Sequence, residues 1–103
     1  IGLGDRPTAL VCYNDMLAIG IMSGLHEAGI RVPDELSVTG FDNIIFSAFT
    51  NPPLTTFDQP KRTIGEQAAR LLLGLLENEA PGPKIQTLKG RLLVRGSTAR
   101  LAK

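Results

Sequence analysis

The chain has 103 residues, of which 43% are apolar and 20% charged, with a formal net charge of +1. That length serves one small domain and not two, the composition is globular rather than disordered, and a near-neutral balance with no Lys/Arg cluster leaves no electrostatic footprint for nucleic acid. A lone cysteine excludes an internal disulfide, and no stretch is apolar for long enough to cross a bilayer or to resemble a secretory leader.

Residues 1–7 carry Gly2, Gly4, Asp5 and Pro7 and read as loop. Gly2-Leu3-Gly4 follows no strand, so it is no phosphate cradle. Thr8-Ala9-Leu10-Val11-Cys12-Tyr13 is a continuous apolar run, the pattern of a strand covered on both faces in a parallel sheet. Asn14 and Asp15 both suit a helix cap. The helix after them is predicted over 15–28, with Leu17, Ile21, Leu25 and Ala28 as its buried face and Met16, Ile19 and Met22 on another flank. Gly29 is placed to take the left-handed cap conformation, with Ile30 folding back onto the last turn.

Val32-Pro33 closes that helix. Leu36-Ser37-Val38-Thr39-Gly40-Phe41 then has the β-branched and aromatic content of a strand, which ends at Asp42. Strand, helix and strand over 8–41 fit a βαβ unit, whose two parallel strands finish at one edge. Asn14 and Asp42 are thereby expected on the same rim, and the carboxyl ends of parallel strands are where such sheets bind ligands. A carboxylate only accepts hydrogen bonds, whereas an amide donates and accepts, so the pair suits adjacent ligand hydroxyls. A second reading stands beside this one: Asn14 and Asp15 cap the helix, and Asp42 turns the following loop.

Residues 43–50 hold Ile44, Ile45, Phe46, Ala48 and Phe49, a helical turn or loop with apolar anchors. Asn51-Pro52-Pro53 breaks any helix. Leu54-Thr55-Thr56-Phe57 reads as extended, and Asp58-Gln59-Pro60 opens a second helix with proline in its first turn. That helix is predicted over 60–78, burying Ile64, Ala68, Leu71, Leu72 and Leu75. Ala80-Pro81-Gly82-Pro83 is a loop, 85–88 and 92–94 read as two strands or one bent strand interrupted at Lys89-Gly90, and 95–98 lead into a short tail whose last residues fray. His26 has no Cys or carboxylate at metal-ligand spacing, so no metal is expected. Cys12 lies in an apolar strand without an activating base. The residues suggest neither an enzyme nor a cofactor, and the Asn14-Asp15-Met16 turn lacks the glycines of a Rossmann dinucleotide site.

The order TALVCYND, EAGIRVPDELSVTGFDN, NPPLTTFDQP, a Leu-rich helix and LLVRGST resembles the lactose-repressor/galactose-repressor (LacI/GalR) family of bacterial transcription regulators over about 6–100. The resemblance implies an α/β fold, a three-layer doubly wound parallel sheet of the type I periplasmic-binding-protein kind, with residues 1–103 forming its C-terminal part. A helix-turn-helix domain and most of the first lobe are then expected outside this sequence. It also implies a small-molecule effector, most often a sugar, operator DNA gripped by that other domain, a homodimer, and a cytoplasmic setting without a membrane. Asn14, Asp42 and, more weakly, Gln59 match effector-binding positions, while Ile19, Met22, Phe46 and Phe49 match dimer surfaces. The second helix resembles one that packs on the first lobe, so the piece alone is expected to self-associate through uncovered leucines and to bind no operator. The alternative is a periplasmic solute-binding protein of a sugar transporter, which shares the fold.

Overall fold

A computed structural model describes residues 5–77 and 85–101. The Gly2/Gly4 loop, the helix end at Asn78, the loop at 80–83 and the last two residues lie outside that range. The chain divides into two compact units, Ile1–Asp58 with Arg91–Lys103, and Gln59–Gly90.

In the first unit β1 (Ala9–Val11) and β2 (Ser37–Thr39) pair in parallel, with Ala9 opposite Ser37 and Val11 opposite Thr39. Helix α1 (Asp15–Glu27) connects them. The chain then passes a 3-10 turn (Ile45–Ala48) to β3 (Thr56–Asp58), which joins β2 through a parallel bridge between Thr39 and Thr55. Strand β4 (Arg91–Leu93) returns antiparallel to β3, with Thr56 opposite Leu93. The result is a partial α/β sheet, parallel through its first three strands and closed by one antiparallel strand.

Helix α1 starts on an Asn14 cap, whose Oδ1 accepts the Leu17 N–H at 2.9 Å, and it ends as its sequence suggests. Gly29 takes φ 76°, its N–H donates to the His26 carbonyl, and the Ile30 N–H donates to the Leu25 carbonyl at 2.9 Å. This is the double bond pattern of a Schellman cap, with Ile30 and Leu25 both buried beneath it.

The buried stripe of α1 differs from the predicted one. It runs Asp15, Ala18, Met22 and Leu25, while Leu17 and Ile21 are exposed. The spacing is helical either way; the sequence reading went astray because the inward stripe opens on an aspartate, which an apolar template passes over. Met22 is therefore corrected from an outer flank to the core, where it is 7% exposed, and Ile19 packs half-buried against that core. Leu36, Val38 and Leu54 complete the centre, each contributing roughly 1.5–3 kcal/mol by leaving water. Cys12 is also a core side chain, and burial pushes its thiol pKa up.

The second unit is built on α2 (Lys61–Leu76), which starts one residue after Pro60 rather than on it. None of its residues is buried; Ile64, Leu72 and Leu75 of the predicted inner face are exposed. Ile64, Ala68 and Leu71 line a cavity of about 480 Å³ with Ile85 and Leu88. Residues 85–90 form no strand, and of the extended segments predicted over 85–94 only β4 is observed.

Candidate functional site

Parallel register brings the ends of β1 and β2 to one edge. The Cys12 N–H donates to the Thr39 carbonyl at 2.9 Å, and beyond it the Asp15 N–H donates to the Phe41 carbonyl at 3.1 Å. Asn14 and Asp42 are the residues next to that second bond. At this rim the rings of Phe41 and Phe57 stack with centroids 5.3 Å apart, and Tyr13 is exposed. The capping role expected of Asn14 is present, since its oxygen accepts the Leu17 N–H.

Asp15 does something the sequence reading did not foresee. It is fully buried, and its carboxylate leaves its own helix to accept the Ile44 N–H at 2.9 Å and the Thr56 hydroxyl at 2.6 Å. Gly40 makes room for it: a Cβ there would run into Asp15 Oδ1 and lie 3.1 Å from Asp15 Cα and 2.9 Å from Leu54 Cδ2. The expected capping aspartate is instead a tie between α1, the loop after β2, and β3.

That loop has an unusual backbone. Asp42 has φ 123° and Asn43 φ 52°, conformations that non-glycine residues rarely adopt and Asn adopts more readily than most. Three successive amides are held. Asp42 N–H donates to the Phe57 carbonyl at 2.9 Å, Asn43 N–H to Thr56 Oγ1 at 3.3 Å, and Ile44 N–H to Asp15 Oδ2. The Asn43 side chain donates to Asp58 Oδ1 at 3.2 Å and accepts from Arg95 Nη2 at 2.9 Å.

The segment after β4, predicted as the start of a tail, is sewn into the sheet. The fully buried Ser97 donates its hydroxyl to the Val38 carbonyl at 2.6 Å and accepts the Thr55 N–H at 2.8 Å, filling a gap between β2 and the approach to β3. Thr98 and Thr55 hydroxyls meet at 2.9 Å. The available signal was the Arg-Gly-Ser-Thr composition directly after a strand, where hydroxyls compete well for backbone partners.

Gln59 belongs to the second unit, where its carbonyl accepts the Lys61 N–H at 2.8 Å. Phe46 and Phe49 are exposed around the 3-10 turn, Phe49 at 81%. Cavities of about 450 Å³ and 350 Å³ lie beside the segments that enter β1 and β2, lined by Ile30, Arg31 and Asn51 in one case and by Thr8, Ser37 and Ala99 in the other. No group of His, Cys, Asp and Glu among the described residues is arranged to hold a metal ion.

With this geometry in view, comparison with known proteins assigns the class. Residues 2–98 match the model of the periplasmic binding protein-like domain, and the chain belongs to that family. Within it, the likeness runs to the LacI/GalR transcription regulators. The chain is 39% identical over 97 residues to the HTH-type transcriptional repressor PurR of Vibrio vulnificus, covering 94% of this chain and 29% of that protein. A LacI-type transcription regulator from Bifidobacterium animalis subsp. lactis superposes with a TM-score of 0.83 at 35% identity, covering 93% of this chain and 34% of that one. The lac repressor dimer bound to operator and the anti-inducer ONPF superposes at 0.79 with 36% identity, covering 89% and 28%. The chain thus spans about 29% of the length of the curated relative.

Proposed function

We propose that residues 1–103 form the C-terminal part of the effector-binding and dimerisation region of a bacterial transcriptional repressor that senses a small polar metabolite, most often a sugar. The observation that carries this reading is that the Asp15–Phe41 backbone bond brings the strand ends followed by Asn14 and Asp42 to one rim. An amide and a carboxylate on one rim suit ligand hydroxyls, and the Phe41/Phe57 stack offers an apolar face for a sugar ring or a nucleobase. Gln59 is the third candidate contact, by its match to the family position alone.

Operator DNA is the second partner, through a helix-turn-helix domain elsewhere in the polypeptide, and the setting is cytoplasmic. The relatives support a regulator over a transport protein: one is a repressor by name, and another is a dimer on operator. Exposed Phe46 and Phe49, with half-buried Ile19, are the candidate dimer surface. No described helix is long and apolar enough to cross a membrane.

The test is calorimetry of the intact regulator with D-galactose, D-ribose, lactose, adenine and guanine. Binding of one of them, weakened on Asp42→Ala, supports the reading. Binding unaffected by changes at both Asn14 and Asp42 removes this edge from the site.

A further inference from the structure

We propose that Arg95 is a positioning residue for the candidate site, a latch that holds the 42–47 loop and through it the pose of Asp42. This rests on the effector-site reading above and adds to it a residue in a segment remote in sequence. The guanidinium reaches three oxygens, none of them a carboxylate. Nη2 donates to Asn43 Oδ1 at 2.9 Å, and Nη1 donates to Ser47 Oγ at 3.1 Å and to the Leu54 carbonyl at 3.2 Å. Two of those acceptors lie at either end of the loop, and the third begins the run into β3. The base of the latch is itself fixed, since the Arg95 N–H donates to Thr55 Oγ1 at 2.9 Å.

The loop needs such a hold. A left-handed φ at two consecutive non-glycine residues, Asp42 and Asn43, persists only where neighbours over-determine it. Ser47 tightens the far end: its one hydroxyl proton is best placed on the Ile44 carbonyl at 2.6 Å, and Asn43 Oδ1 lies 3.2 Å from the same Oγ. Asn43 Oδ1 is thus an oxygen shared between the Ser47 hydroxyl and the Arg95 guanidinium, one residue from Asp42. The planar fork of arginine spans these oxygens at once, which the single point charge of lysine does not.

The experiment compares Arg95→Lys, which keeps the charge and loses the fork, with Asn43→Gly, which accepts the left-handed φ and removes the shared oxygen. Amide hydrogen exchange is read by NMR on the intact regulator without ligand. The amides of Asp42, Asn43 and Ile44 are expected to exchange roughly tenfold faster in each variant, with those of Cys12 and Ala18 within about twofold. The double variant is expected to add little to either single change. A uniform rise at all five amides, or an unchanged loop, overturns the latch. Each variant is also titrated with the five compounds named above. Whichever binds the unsubstituted protein is expected to bind about tenfold more weakly; full affinity over a loosened loop overturns the positioning role. If none binds the unsubstituted protein, the effector reading falls, and exchange alone decides whether Arg95 holds the loop.

Discussion

The Asp15 carboxylate accepts the Thr56 hydroxyl at 2.6 Å across 41 residues of sequence, with both side chains fully buried. A charged acceptor in that position is tolerated because both its oxygens are used, the second by the Ile44 N–H. Asp15→Ala leaves one buried and one part-buried donor without that partner and is expected to destabilise the fold by about 3 kcal/mol. Urea denaturation followed by circular dichroism measures it, and a loss below about 1 kcal/mol would show that the tie is dispensable.

Gly40 lies against that carboxylate. Gly40→Ala must push aside Asp15 and Leu54, one of them through its backbone, so a cost of about 1–3 kcal/mol is expected. Thermal unfolding at or above the parent's midpoint would contradict it.

Glu35 sets a pH dependence. The Arg31 N–H donates to its carboxylate at 2.9 Å, the Arg31 side chain adds a second bond at 3.2 Å, and Arg6 stands 3.8 Å away. The backbone bond first, and the Arg31 side chain after it, hold the Glu35 pKa below its ordinary value of 4.5. With the folded pKa lowered, the stabilisation is complete above the unfolded value and is lost as pH falls through the folded one. Glu35→Gln is therefore expected to flatten stability against pH on the acid side of 4.5 and to leave its slope at neutral pH unchanged. A carboxyl NMR titration of Glu35 with a midpoint at or above the usual glutamate range would refute the assignment.

At the rim, the proposed effector role predicts that Asp42→Ala in the intact regulator weakens effector affinity by about 1–3 kcal/mol, the cost of leaving ligand hydroxyls without an acceptor. Isothermal titration checks this, and thermal unfolding of the same variant separates a lost contact from a lost fold.

The exposed aromatics proposed as a dimer surface carry a prediction of their own. Phe49→Glu places a charge on a side chain that is 81% exposed, so the protomer's stability should hold. The dimer dissociation constant is expected to rise by roughly tenfold or more, as for a central aromatic of an interface. Sedimentation velocity decides, and an unchanged dimer moves the interface elsewhere.

Much of the scaffold was legible in the sequence, for local reasons. The α1 start at Asn14-Asp15, the Gly29 cap and the two apolar strands depend on caps, turns and burial patterns within a few residues. The shared edge of Asn14 and Asp42 followed from the length of the connection between parallel strands. The inward stripe of α1 was missed because it begins with an aspartate whose partners, Ile44 and Thr56, are 29 and 41 residues away. Met22 was displaced to the wrong flank by the same error.

The amino-acid order by itself determined the repeating strand and helix plan, the edge where the candidate ligand groups meet, and the family signature, since each is written in short-range spacing. Only the folded chain decided what Asp15, Asn43, Arg95 and Ser97 do. Their roles are hydrogen bonds to residues 15 to 59 positions away, and a polar side chain carries no local mark of a distant partner. Burial supplies the reason those bonds form: in the interior each donor and acceptor must be matched within the protein.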